Sequence, residues 1–108
     1  MECSTRQEGE FMIVTLKGEV DLHDSPEARK QILQNLNDNN HVLVDLSGVK
    51  YIDSSGIASL VEGFQRARSL QLEFGLVGVS DAARQVLELA RLDKVFQIKD
   101  SIAEFTDR

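Results

Sequence analysis

A carboxylate and two hydroxyl groups stand together in the segment Asp53-Ser54-Ser55-Gly56, immediately before a stretch with helical apolar spacing. Asp and Ser at such a position accept hydrogen bonds from the free N–H groups of a first helical turn, so an N-cap is the simplest interpretation. Glycine is a poor helix former, and we interpret Gly56 as a residue that keeps the helix start uncovered. The pattern leaves two roles open for the serines, a structural cap and an accessible group that is modified.

A phosphate on Ser55 is compatible with this location. A helix N-terminus favours an anion by about 0.3–2 kcal/mol, and the modification adds roughly −1.5 to −2 charges beside Asp53. A change of about 1.4 kcal/mol alters a binding constant tenfold. These magnitudes indicate that a phosphate on Ser55 can switch a protein interface without refolding the domain.

A second polar segment, Gly18-Glu19-Val20-Asp21, follows an earlier apolar run. In open α/β sheets, functional groups collect beyond the carboxyl ends of the strands. We interpret 18–21 and 51–56 as loops that leave the same edge of a sheet. Asp21, Asp53 and the two serines are therefore expected to lie close together.

The elements that position these segments alternate between strand and helix. Apolar, β-branched runs predict strands over 11–16, 42–46, 72–79 and 95–98, and an edge strand over 3–7. Ser47-Gly48 is predicted to end the second main strand. The predicted helices begin at Ser25 as N-cap, at the segment 53–56, at Ser80 as N-cap and at Ser101. Ala90 is expected on the core face of the helix that follows Ser80. This alternation requires crossover connections and a mostly parallel sheet, so we expect one α/β domain over residues 1–108 with four to five strands and about four helices.

The composition argues against several classes of function. The chain has 108 residues, with 12 basic and 18 acidic side chains and a net charge of −6. An acidic chain is a poor candidate for binding nucleic acid and favours a protein partner with a basic patch. Cys3 is the single cysteine, which excludes an internal disulfide and a cysteine-rich metal site. Since neither a signal peptide nor an apolar run of about 18 residues is recognisable, we expect a cytoplasmic protein without membrane insertion.

One long motif reads DLSGVKYIDSSGIA over residues 45–58. It resembles the signature of the STAS domain, the fold of bacterial anti-sigma factor antagonists. The segment 18–21 is similar to the family's second motif, Gly-Glu-hydrophobic-Asp, and the resemblance extends over nearly the whole chain. In that family the serine before the glycine is phosphorylated, which by position implies Ser55, with Ser54 as the second choice. Asp53 and Asp21 match the acidic residues beside it.

The resemblance implies a binding protein rather than an enzyme, with no cofactor and no metal. Its partner would be an anti-sigma factor that is also a serine kinase, and a serine phosphatase would remove the phosphate. The unphosphorylated form would sequester the anti-sigma factor and free the sigma factor. We expect the partner to cover the segment 53–56 and the first turns of the following helix, with Asp21 and Ile57 in the surroundings of Ser55. The oligomeric state stays open.

Other functions remain open for a chain of this type. STAS domains also serve as small subunits of lipid-transport ABC systems, where Ser55 would act only as a cap. Those subunits resemble Asp-Thr-Ala-Gly at this position, so Ser54-Ser55 favours the phosphorylation switch. A partner-switching module that controls an output other than a sigma factor is a further alternative. A metal site at His23 between Asp21 and Asp24 is disfavoured, because three ligands so close in sequence rarely form a tight site.

Overall fold

A computed structural model describes residues 1–107 as five strands and four helices. In chain order these are β1 (Glu2–Glu8), β2 (Phe11–Val20), α1 (Ser25–Asn37), β3 (His41–Ile52), α2 (Ser54–Ser69), β4 (Phe74–Val77), α3 (Asp81–Leu89), β5 (Gln97–Lys99) and α4 (Ala103–Thr106). The predicted alternation of strands and helices is confirmed. None of the helices in residues 1–107 has the length and apolar character needed to cross a membrane.

The strands form one mixed sheet in the order β1-β2-β3-β4-β5. β1 pairs antiparallel with β2, from Glu2 opposite Lys17 to Glu8 opposite Phe11. The other three pairings are parallel, and a helix connects the two strands of each. The predicted edge strand and the mostly parallel sheet are therefore confirmed, since parallel neighbours require such crossovers.

Alternating side chains of the strands enter two apolar clusters. Val14 and Val44 belong to the larger cluster, which contains the buried side chains of α1, α2 and α3. Ile13 and Leu43, one residue earlier on each strand, belong to a smaller cluster closed by Phe105 of α4. Gly75 is required there, because a Cβ at this position would lie 2.5 Å from the Phe105 ring.

Two strands extend further than predicted. β3 continues through Ser47 and Gly48 to Ile52, so the prediction that these two residues end the strand is wrong. β2 likewise includes residues 18–20. The pairing of β2 with β3 passes two register shifts, between Thr15 and Lys17 and between residues 18 and 19. Such irregularities let a strand continue past residues of poor strand propensity, and the loops begin only after Val20 and Ile52.

Other boundaries differ in detail. Asp24 is the N-cap of α1, whereas Ser25, predicted as the cap, is its first residue and is buried. Ser80 does cap α3, since its hydroxyl oxygen accepts the N–H of Ala83 at 3.2 Å. Ala90, predicted on the core face of that helix, is exposed at its C-terminal end.

The C-terminal elements are shorter or shifted relative to their predictions. β4 covers only 74–77, and Gly78 falls outside it with a φ of 60°. β5 begins two residues later than the predicted strand. The N-cap of α4 is Ile102 rather than Ser101. These differences concern the C-terminal elements and do not affect the ends of β2 and β3, where the motif segments lie.

Candidate functional site

The two motif segments meet where β2 and β3 end. These strands are parallel neighbours, and Val20 pairs with Ile52 at their last residues. The backbone N–H of Asp53 donates to the carbonyl oxygen of Val20 at 3.2 Å. The loop of residues 21–24, here called the β2–α1 loop, and residues 53–56, here called the capping segment, therefore leave the same edge of the sheet, as predicted.

Asp53 joins these two segments through its carboxylate. Its Oδ1 accepts hydrogen bonds from the backbone N–H groups of Ser55 at 2.9 Å and Gly56 at 3.1 Å, which makes it the N-cap of α2. The Ser55 hydroxyl also donates to Oδ1, at 2.6 Å. The second oxygen, Oδ2, accepts the backbone N–H of Leu22 at 3.1 Å. One carboxylate thus connects the start of α2 with the β2–α1 loop.

These donors lower the pKa of Asp53. The hydrogen bond from the Ser55 hydroxyl contributes most, burial acts in the opposite direction, and the backbone N–H groups of Gly56, Ser55 and Leu22 add to the lowering. Each donor favours the ionised form, because a protonated carboxyl oxygen is a weaker acceptor. Asp53 is therefore a carboxylate at neutral pH, in contact with the positive end of a helix dipole.

Asp21 shapes the β2–α1 loop, and its side-chain hydrogen bonds go to the backbone of that loop rather than to the serines. Its Oδ1 accepts the backbone N–H groups of His23 at 3.0 Å and Asp24 at 3.1 Å. The next residue along the chain, Leu22, is the one that donates to Asp53. The predicted proximity of the two acidic residues is thus realised through the backbone of Leu22.

The two serines differ in exposure. Ser54 is exposed, whereas Ser55 is partly buried. Ala58, one turn after Ser54, is also exposed and lies on the same side of the helix. An approaching protein therefore meets Ser54, Ala58 and the partly covered hydroxyl of Ser55.

Gly56 and Ile57 lie beneath this surface. A Cβ on Gly56 would lie 2.6 Å from Cγ1 of Ile52 and 2.9 Å from the carbonyl oxygen of Val20. We expected this glycine to keep the helix start uncovered. On the side that faces the sheet the expectation is wrong, because the missing side chain allows the helix and the strand ends to pack closely. Ile57 is 7% exposed and belongs to the core. Both residues support the capping segment from inside, and both are buried.

Two residues of this region were not singled out from the sequence. Leu22 is 74% exposed in the β2–α1 loop. Ser59 is buried, and its hydroxyl lies 3.3 Å from the carbonyl oxygen of Ser25 and 3.2 Å from that of Ser55. A lone leucine among acidic loop residues and a serine on the apolar stripe of α2 were the available signals. Neither signal identifies the hydrogen-bonding partner, because Leu22 is 31 residues from Asp53 along the chain and Ser59 is 34 residues from Ser25.

The site combines a hydroxyl, a carboxylate and backbone N–H groups that donate to that carboxylate at the start of a helix. A carboxylate with a lowered pKa is a weak general base, because a useful base has a pKa near the working pH. Asp53 therefore orients the hydroxyl of Ser55 rather than removing its proton.

Comparisons with known proteins show what the chain is similar to. The STAS domain model matches residues 2–105. An anti-sigma-B factor antagonist of Listeria monocytogenes is 27% identical over 88 residues, which cover 81% of this chain and 77% of the relative.

Solved structures extend the likeness to the whole fold. An anti-sigma-factor antagonist domain protein from Planctomyces limnophilus superimposes with a TM-score of 0.84 at 23% identity, covering 94% of this chain and 92% of its own. The Bacillus cell fate determinant SpoIIAA in its phosphorylated form gives a TM-score of 0.78 at 18% identity, with 99% and 98% covered. The likeness therefore concerns the complete architecture and not a shared fragment.

Proposed function

The chain belongs to the STAS domain family, and from this premise we propose that it is an anti-sigma factor antagonist controlled by phosphorylation of Ser55. The unphosphorylated form binds an anti-sigma factor that is also a serine kinase, and so frees the sigma factor. Phosphorylation releases the kinase, and a serine phosphatase restores binding. The output is binding rather than catalysis, it takes place in the cytoplasm, and it needs no cofactor.

The placement of the Ser55 hydroxyl carries this proposal. It lies 2.6 Å from Oδ1 of Asp53, in the first turn of α2. Phosphoryl transfer from ATP breaks the O–H bond of Ser55 and forms an O–P bond, while ADP leaves and the proton passes to solvent. The new dianion is held beside the Asp53 carboxylate, and like charges at this separation repel each other. A binding surface centred here therefore changes in charge and in hydrogen bonding at the same time.

Charge and exposure support a partner at the same surface. Asp21 of the β2–α1 loop and Asp53 of the capping segment give it an acidic rim, whereas the Asp24 carboxylate is paired with the N-terminal ammonium of Met1 at 3.2 Å. Such a rim favours a partner with a basic patch and accelerates the encounter of the two proteins. A phosphate on Ser55 strengthens the negative potential, so release requires the direct loss of contacts at the capping segment rather than weaker long-range attraction.

A comparison of immobilised chains in a lysate of the source cells tests the proposal. Wild type, Ser55→Ala, Ser55→Asp and the control Ser54→Asp serve as baits, and mass spectrometry identifies the retained proteins. We expect wild type, Ser55→Ala and Ser54→Asp to retain a small ATP-binding serine kinase that Ser55→Asp loses. A transporter ATPase retained equally by all four baits would contradict the proposal and would assign the chain to a lipid-transport system.

A further inference from the structure

The β2–α1 loop presents a large apolar side chain to solvent. Leu22 is 74% exposed, and the turn that carries it is closed by two hydrogen bonds to the Asp21 carboxylate. A single exposed leucine is ordinary on a protein surface. Leu22 differs because its backbone N–H donates to the Asp53 carboxylate, which also accepts a hydrogen bond from the Ser55 hydroxyl.

We propose that Leu22 is an apolar contact for the kinase partner, and that the hydroxyl of Ser55 sets its position through Asp53. This inference rests on the proposed function and adds to it a specific contact residue and the path by which the phosphate reaches it. The occupant to which it commits is a partner surface with an apolar pocket for a leucine side chain and a basic group at the pocket rim. The basic group complements the carboxylates of Asp21, which precedes Leu22, and of Asp53, which accepts the Leu22 N–H, whereas the Asp24 carboxylate is already paired with the Met1 ammonium.

The path consists of two hydrogen bonds through one rigid group. The Ser55 hydroxyl donates to Oδ1 of Asp53 at 2.6 Å, and Oδ2 accepts the N–H of Leu22 at 3.1 Å. When ATP transfers its phosphoryl group to Ser55, the O–H donor is replaced by an O–P bond, with ADP and a proton as the other products. Oδ1 then loses a donor and faces phosphate oxygens. Because both oxygens belong to one planar carboxylate, a shift of the whole group away from the phosphate also moves Oδ2 relative to the N–H of Leu22.

The surrounding packing directs this displacement toward the loop. Gly56 packs against Ile52 and Val20 with no room for a Cβ, so the first turn of α2 cannot move toward the sheet. Ser59 adds contacts from the same helix to the carbonyl oxygens of Ser25 and Ser55. The side chain of Asp53 and the exposed backbone around Leu22 are the parts left to respond, since exposed loops open more easily than packed helices.

Nuclear magnetic resonance of the isolated chain tests the path without any partner. Chains synthesised with phosphoserine in place of Ser55 are compared with wild type and with chains carrying phosphoserine in place of Ser54. We expect phosphoserine at 55, but not at 54, to shift the Leu22 amide proton upfield and to increase its exchange with solvent at least several-fold. An unchanged Leu22 amide in the chain with phosphoserine at 55 would overturn the path.

Affinity measurements test the contact. Leu22→Ala is compared with Leu89→Ala, which truncates another exposed leucine, 86% exposed, on α3. We expect Leu22→Ala to weaken binding of the kinase captured by wild type by roughly tenfold or more, and Leu89→Ala to leave it unchanged. Equal binding by wild type and Leu22→Ala would overturn only the role of Leu22. Failure of wild type itself to bind any kinase would instead overturn the proposed function.

Discussion

The hydroxyl of Ser55 donates to the N-cap of its own helix, at 2.6 Å from Oδ1 of Asp53. The group that we propose to be phosphorylated is therefore one of the donors that satisfy the capping carboxylate. Two backbone N–H donors, from Ser55 and Gly56, remain when the hydroxyl is lost. The start of α2 can thus stay helical while the charge and the hydrogen bonding of its surface change.

The lowered pKa of Asp53 predicts a pH dependence of stability. In the unfolded chain an aspartate has a pKa of about 3.9, and in the folded chain the Ser55 hydroxyl and backbone donors hold the pKa of Asp53 below its ordinary value. The stabilisation is fully present above the unfolded pKa and is lost as the pH falls toward the folded pKa. Urea unfolding between neutral pH and pH of about 3 should show wild type losing more stability than Asp53→Asn.

An exposed carboxylate provides the control for that measurement. Asp38 lies at the C-terminal end of α1, away from the capping segment. Asp38→Asn removes the same charge, and its stability should follow the wild-type pH profile. If Asp53→Asn also follows the wild-type profile, folding does not lower the pKa of Asp53.

The packing of Gly56 predicts a cost for alanine at this position. Alanine is favoured over glycine in a helix by about 1 kcal/mol, but its Cβ would lie 2.6 Å from Ile52 and 2.9 Å from the Val20 carbonyl oxygen. Overpacking of this kind costs about 1–3 kcal/mol, so we expect Gly56→Ala to lower the free energy of unfolding in urea. Ala58→Gly, at an exposed position of the same helix, measures the difference in helix propensity between alanine and glycine without the close contacts of Gly56. A more stable Gly56→Ala chain would show that the close approach is absent.

The order of elements and the position of the cap could be predicted from local signals. Short β-branched runs indicate buried strands, and Asp53 before an apolar helical stripe indicates an N-cap. The length of β3 could not be predicted in this way, because Ser47 and Gly48 have low strand propensity. Gly48 pairs with Lys17 of β2 and Ser47 lies at the register shift just before it, so both remain in the strand through long-range pairing on either side of that shift.

The candidate site also depends on contacts that local sequence patterns do not contain. Gly56 is visible in the sequence as an anomaly, but only the structure shows which neighbours come close to it. We interpreted the missing side chain as open space, whereas the ends of two strands occupy that space. The bond between Leu22 and Asp53 joins residues 31 positions apart, so no local pattern could contain it.

The surroundings of Cys3 predict a thiol of low reactivity. Burial raises the pKa of Cys3, and the negative charge of Glu27 raises it further. Since the thiolate is the reactive form, reaction with a disulfide reagent at pH about 8 should be slower than that of a small free thiol and should accelerate as the pH rises. Glu27→Gln should increase the rate modestly, and Glu62→Gln, on α2, should not change it. A rate at or above that of the free thiol would contradict the effect of burial.

The choice between the two serines gives the sharpest test of the site. Ser54 is the more exposed hydroxyl, so a kinase that selects by access alone would modify it. Ser55 is the one that is oriented by Asp53, and recognition of an ordered hydroxyl favours it because less conformational freedom is lost on binding. With the captured kinase and ATP, we expect mass spectrometry to find one phosphate on wild type and on Ser54→Ala and none on Ser55→Ala. Asp53→Asn should be phosphorylated more slowly than wild type, because the Ser55 hydroxyl and the Leu22 N–H then lose the charged acceptor that orders them. Phosphate on Ser55→Ala but not on Ser54→Ala would show that Ser54 is the modified residue and that the hydrogen bond from Ser55 to Asp53 does not select the site.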